Sequence, residues 1–179
     1  SEGFPEDVVD LSDVEKVRDG EKYKASAIIR GMCDGFKKNG YEIGGYYAYT
    51  TSSVLKGSGL SSSAAFEVLV GTIISYIYND GKIDAVTIAK CSQYAENVFF
   101  GKPSGLMDQM ASSVGGFVGI DFGDKENPII EKVDFDLSEE EHRKAMKNAN
   151  AGTRTAKEGK TARKAQENPT KEGVIAKIA

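Results

Sequence analysis

The run Lys56-Gly57-Ser58-Gly59-Leu60-Ser61-Ser62-Ser63-Ala64-Ala65 crowds two glycines and four serines ahead of a long apolar segment, Phe66 to Tyr78. Glycine takes backbone angles closed to other residues and lets a ligand come close to the main chain. The segment that follows is long enough for a helix, and a helix opens on unpaired amides with a partial positive charge. A loop running into a helix start offers amides and hydroxyls to an anion, such as a nucleotide polyphosphate. A Ser/Gly-rich turn without a ligand uses the same residues, so composition alone leaves both readings open. The spacing excludes two familiar phosphate loops. No Gly-Lys-Ser/Thr ends the run, and the third glycine of a dinucleotide fingerprint is replaced by Ser62.

Around this loop the chain alternates helical and extended patterns. Lys24 to Asn39 carries Ala25, Ile28, Ile29, Met32 and Phe36 at helical spacing, with Gly40 as the stop. Tyr46 to Thr51 is aromatic and β-branched and reads as a strand, with Tyr46, Tyr47 and Tyr49 as packing residues. Ala64 to Tyr78 reads as a helix apolar nearly all round, hence buried, with Glu67 a structural first-turn carboxylate. Asp84 is placed to cap a further helix, with Ile88, Cys91, Tyr94, Ala95 and Val98 inside and Gly101 near its end. Ser104 is placed to cap a short helix carrying Asp108. Phe117 to Phe122 and Ile129 to Asp136 read as a hairpin-like strand pair, the second at an edge.

Composition narrows the function classes. A chain of 179 residues with 40% hydrophobic content can bury one proper core. A net charge of −4 without a basic, aromatic-interleaved stripe gives no reason to expect nucleic acid. Val68 to Tyr78 is too short and too mixed for a membrane span. The first residues lack a basic and apolar leader, and Cys33 and Cys91 read as two reduced thiols, so a cytoplasmic protein is expected. His142 is the only histidine, which excludes a Ser-His-Asp mechanism and a Cys/His metal set. From Ser138 onward there is no aromatic residue, and ten basic residues meet six acidic ones. This tail, 138–179, reads as exposed helix, flexible chain or discontinuous pieces, with only Val174, Ile175 and Ile178 suited to a core.

A second motif follows the loop: Tyr94-Ala95-Glu96-Asn97-Val98-Phe99-Phe100-Gly101-Lys102-Pro103-Ser104-Gly105-Leu106-Met107-Asp108-Gln109-Met110. In this order and separation, the two motifs resemble the galactokinase branch of the kinases acting on galactose, homoserine, mevalonate and phosphomevalonate. The resemblance covers roughly Phe4 to Leu137. It implies an α+β fold with a mixed or antiparallel sheet packed against helices, as in the N-terminal domain of those kinases. Residues 1–137 would then be a partial ATP-binding and catalytic domain.

The resemblance also implies ATP and magnesium (Mg2+) as cofactors and galactose, phosphorylated at its 1-hydroxyl, as substrate. Asp108 would be the catalytic carboxylate, with Gly105 beside it at the sugar. Gly57, Ser58, Gly59, Leu60, Ser61, Ser62 and Ser63 would wrap the phosphates, and Ser63 and Glu96 would hold the metal. Taken locally, Asp108 is also an ordinary first-turn aspartate, Glu96 a solvated helix position and Lys102 a surface lysine. Kinases acting on N-acetylgalactosamine or arabinose share the motifs. Non-catalytic galactose- and ATP-binding sensors also resemble galactokinases but have lost part of the serine-alanine loop, so the complete Ser61-Ser62-Ser63-Ala64 and Asp108 favour the enzyme lineage. The family's N-terminal Gly-Arg-x-Asn-Leu-Ile-Gly-Glu-His-x-Asp-Tyr motif and its C-terminal glycine-rich motif have no counterpart here. The expectation is a fragment of a longer enzyme, inactive alone.

Overall fold

The computed structural model describes residues 7–52, 59–124 and 127–134, and the backbone of 173–177. The chain divides into two compact units, Ser1–Gly115 with Ile178–Ala179, and Gly116–Lys177. Among the described residues the first is helical and the second is a sheet, which is the α+β class expected from the motifs. Among the described residues no helix is long and apolar enough to cross a membrane.

Helix α1 (Ala25–Lys38) buries Ala27, Ile28, Met32 and Phe36, a stripe at helical spacing. Lys37 and Lys38 sit in its last turn, where cations suit the helix dipole. Helix α2 (Ser62–Tyr78) begins at Ser62 rather than Ala64. It is not buried all round: Ala64, Glu67, Val70, Gly71 and Ile74 face inward, while Leu69, Tyr76 and Ile77 are exposed. Helix α3 (Ala85–Tyr94) is capped as expected by Asp84, whose Oδ1 accepts from the Thr87 amide at 2.9 Å. It then widens into a π-helical turn, Ala95–Phe100, which closes at Gly101. Gly31 of α1 is what admits this turn so closely. A Cβ there would lie 2.7 Å from Ala95 Cβ, nearer than two such carbons can approach.

Helix α4 (Met107–Val114) starts from Leu106, not from Ser104. The Ser104 amide and hydroxyl both donate to Asn97 Oδ1, at 2.7 and 3.1 Å, so this side chain is engaged by the π turn and caps nothing. Helix α1 packs on the π turn and α3, and α2 lies against α3 and α4. Val14, Ile28, Met32, Phe36, Val70, Ile74 and Ile88 form the core between them. Cys33 and Cys91 are free and buried, and burial pushes their thiols up to about 11 and about 12.

Two charged or extended features ahead of α2 depend on tertiary contacts. Arg30, fully buried on α1, donates to the carbonyls of Asp10, Ser12, Asp13 and Lys16, and its Nε lies 3.2 Å from Glu21 Oε2. The guanidinium fork thereby pins the irregular segment preceding the helix. Tyr46–Thr51 is not a strand: among the described residues nothing pairs with it in a ladder. Strand-favouring composition describes a residue's fit to a pleated surface, and without a partner that surface does not exist. Side chains at the end of α2 hold the stretch before it instead. Asn79 exchanges bonds with the Glu42 backbone at 2.9 and 3.0 Å, and the Tyr78 hydroxyl donates to the Gly45 carbonyl. Tyr46 packs on the core as expected, whereas Tyr47 and Tyr49 are exposed.

In the second unit, β1 (Phe117–Asp121) lies between β2 (Ile129–Val133) and β3 (Gly173–Lys177), antiparallel to both. The sheet is therefore antiparallel, and the expected strand pair is found with β2 at an edge. Val118 and Ile120 are buried, while Ile129, Glu131 and Val133 are exposed, as an edge strand permits. Strand β3 comes from the Lys/Ala-rich tail, with Val174 opposite Ile120 and Ile175 opposite Gly119. Phe135, Asp136, Ile178 and residues 138–172 lie outside the described residues.

Candidate functional site

The loop leading into α2 is described from Gly59; Gly57 and Ser58 lie outside the described residues. Gly59 has φ 77, which suits glycine, and Leu60 is exposed. Ser61 follows with φ 53 and ψ 47, a left-handed conformation that a serine adopts at some cost. A specific contact holds it there: the Ser61 hydroxyl donates to Asp108 Oδ2 at 2.6 Å. At the N-cap position of α2 its side chain would ordinarily turn back onto the first amides, and it makes no such bond. Ser61 thus joins the loop to the carboxylate of α4 across the sequence. Ser62 and Ser63 open the helix, Ser63 exposed.

Asp108 is the second residue of α4, exposed and in the turn where the helix dipole favours a carboxylate. The segment ahead of it is tied down from α3 and the π turn. Gln93 Nε2 and Asn97 Nδ2 donate to the Ser104 carbonyl at 3.0 and 3.3 Å. Gly105 is exposed, and a Cβ there would meet no atom within 4 Å. Among the described residues nothing requires glycine at that position.

Beneath Asp108 lies a buried acidic cluster that local sequence reading missed. Glu96, 2% exposed, points inward from the π turn, which excludes the solvated helix position that the local reading offered as its alternative. Lys102 Nζ donates to its Oε1 at 2.8 Å and Gln109 Nε2 to its Oε2 at 2.8 Å. Burial by itself would raise the Glu96 carboxyl; the Lys102 ammonium leads the hydrogen bonds that outweigh it and hold it below the usual range. Lys102 is therefore more than a surface lysine: its stem is half-exposed, but its head is the counter-ion of a buried acid. Glu67, read as a first-turn carboxylate assisting the dipole, is fully buried and accepts from Gln109 at 3.1 Å. Burial, reinforced by the nearby Glu96 charge, pushes its carboxyl up to about 7. Two buried acceptors, Glu67 Oε1 and Gln109 Oε1, have no hydrogen-bond partner among the described residues.

A signal for Glu67 was present. It shares the 3- and 4-residue spacing of Ala64, Val70, Gly71 and Ile74, the inward stripe of α2. Lys102 and Gln109 had none, because their partners lie on other elements. Loop and carboxylate are brought together through Ser61 and Asp108. Ser63 and Glu96 are not: no hydrogen bond joins them, and both Glu96 oxygens already accept. Among the described residues no three acidic, histidine or cysteine side chains gather into a metal cluster. The donors present are hard oxygens, which suits magnesium, a cation that takes one or two carboxylates and completes its shell from phosphates and water.

The chain is similar to a galactokinase of Clostridium tetani, 38% identical over 102 residues, which covers 57% of this chain and 26% of that protein. It is similar to a galactokinase of Clostridium beijerinckii, 42% identical over 87 residues, covering 48% and 22%. The chain thus spans about a quarter of the length of the curated relatives it matches. Residues 25–116, from α1 through the serine loop to the end of α4, match the family model "GHMP kinases N terminal domain", and with more than half of its length so matched the chain belongs to the GHMP kinases.

Proposed function

We propose that the protein carrying this chain transfers the γ-phosphoryl group of ATP to the 1-hydroxyl of galactose, with this chain supplying the nucleotide loop and the catalytic carboxylate. The observation that supports it most is the 2.6 Å bond from Ser61 to Asp108. Phosphoryl transfer asks chiefly for positioning and charge neutralisation, so the loop that holds the phosphates must stand beside the group that receives the sugar hydroxyl. Gly57 through Ser63 wrap the phosphates with backbone amides and hydroxyls. Asp108 takes or holds the hydroxyl proton. Gly105, with open space where a Cβ would be, leaves room for the sugar. Ser63 and Glu96 are the residues that would hold magnesium, which would neutralise phosphate charge and take the place at Glu96 that the Lys102 ammonium now fills. Both kinase relatives named above are galactokinases, which favours galactose over other sugars.

The test is an ATP-dependent galactose phosphorylation assay on the full-length protein and on Asp108→Asn. The substitution keeps the shape and the acceptor for Ser61 while removing the base. Turnover is expected to fall by about 10³-fold with nucleotide binding retained. Near-normal turnover in Asp108→Asn would take that residue out of the chemistry. Galactose binding without turnover in the unsubstituted protein would point to a sensor.

A further inference from the structure

Gln109 follows Asp108 directly, yet it points into the interior and is 1% exposed. Its single Nε2 donates both to Glu67 Oε2, at 3.1 Å, and to Glu96 Oε2, at 2.8 Å. A side-chain amide nitrogen carries two hydrogens, so each carboxylate receives one. The opposite amide orientation would set Oε1 against two carboxylate oxygens, so the chemistry of the pocket settles which way the amide points. Glu67 lies on α2, Glu96 in the π turn and Gln109 on α4. One nitrogen therefore ties together the three elements that carry the serine loop, the inward acid and Asp108. Helices α2 and α4 are joined twice, by Gln109–Glu67 inside and by Ser61–Asp108 at the surface. Other residue types do not fill the role. Glutamate would add a third carboxylate, asparagine is one methylene shorter, and methionine keeps the length but has no donor.

We propose that Gln109 is the positioning residue of this site. By bridging Glu67 and Glu96 it holds α4 at the register that sets Asp108 against Ser61, and it occupies Glu96 Oε2 while the Lys102 ammonium holds Oε1. It touches no substrate. The geometric part stands on the hydrogen bonds alone; its kinetic consequence rests on the phosphoryl-transfer reading.

The test compares Gln109→Met, Glu67→Leu, their combination and Glu67→Gln in the full-length protein, by crystal structure, melting temperature and steady-state kinetics. In Gln109→Met the Ser61 Oγ to Asp108 Oδ2 contact is expected to open beyond hydrogen-bond reach, past about 3.5 Å. Displacement of a reacting group on this scale costs about 100-fold in kcat, with KM for ATP and sugar changed less than about threefold. Glu67→Leu should lose as much, and the double variant no more than the worse single, because both remove one bridge. Glu67→Gln keeps an acceptor for the amide and should lose less than Glu67→Leu. A Gln109→Met structure with the contact intact overturns the proposal, as does a lowered melting temperature with kcat unchanged, or losses that multiply in the double variant. If the unsubstituted protein transfers no phosphoryl group, the kinase reading fails on its own, and the Ser61–Asp108 distance still decides the role of Gln109.

Discussion

Two of the places where the helical unit buries charge are built on opposite principles. Around Arg30 a single cation meets four backbone carbonyls, with the Glu21 carboxylate alongside its Nε. Around Gln109 two acids share one neutral amide and one half-exposed ammonium, and two acceptors stay unmatched. In the first cluster four partners are main-chain groups of the segment it anchors, and the Nε, which makes no hydrogen bond among the described residues, faces the Glu21 carboxylate. The second lies directly beneath an exposed carboxylate and the serine loop, and it carries more negative charge than its donors neutralise. Buried charge that ends on backbone belongs to the fold. Buried charge left partly unanswered beneath an exposed carboxylate and a serine loop is what the proposed site would place there, since perturbed titration gathers at such positions.

The contrast can be broken first at its structural end. Arg30→Met removes the cation but leaves Glu21 and four carbonyls without it, and should destabilise the protein by about 3–5 kcal/mol. Urea denaturation measures this directly. A loss below about 1 kcal/mol, the level of an exposed pair, would mean that the Asp10–Glu21 segment is not anchored through Arg30.

The acidic cluster should respond to pH in the opposite sense from an ordinary ion pair. Because the Glu67 carboxyl is pushed up to about 7 from 4.5, the folded protein binds its proton more tightly than the unfolded chain does. Stability from this group is fully present below pH 4.5 and is lost as pH rises through 7. Glu67→Gln, which cannot ionise, should therefore gain on the order of 3 kcal/mol over the unsubstituted protein between about pH 4 and pH 8. Parallel stability profiles for the two proteins would show that Glu67 titrates normally and that the cluster is no different from the Arg30 site.

A third substitution supplies the scale for both. Asp84 accepts from the Thr87 amide and hydroxyl at 2.9 and 2.7 Å, at the exposed start of α3 and away from either cluster. Asp84→Ala should cost about 1 kcal/mol, because water replaces what the cap supplied. A loss as large as that of Arg30→Met would show that severed hydrogen bonds, rather than stranded buried charge, set the larger effects.

Much of the helical unit was legible because its signals are local. The stripe through Ile28, Met32 and Phe36, the cap at Asp84 and the stop at Gly101 each lie within a turn or two of what they specify. The strand pair was equally readable, since β1 and β2 are neighbours in sequence. Three expectations failed where the deciding partner was distant. Tyr46–Thr51 had the composition of a strand and no strand to join among the described residues. Ser104 had the chemistry of a cap, but Asn97 reached it first. The apolar character of α2 hid its inward stripe, so Glu67 was read as serving the dipole.

The sequence alone determined the serine–glycine loop, the helix it opens, the placement of Asp108 in a first helical turn and membership in a kinase family, because each is written in contiguous residues. Only the tertiary structure decided that Ser61 meets Asp108, that Glu96 and Glu67 face each other's surroundings through Gln109, and that Lys102 balances them. Those contacts depend on the π turn, on the closeness that Gly31 allows and on which elements pack against α2; local spacing marks an inward face but does not say which neighbour covers it.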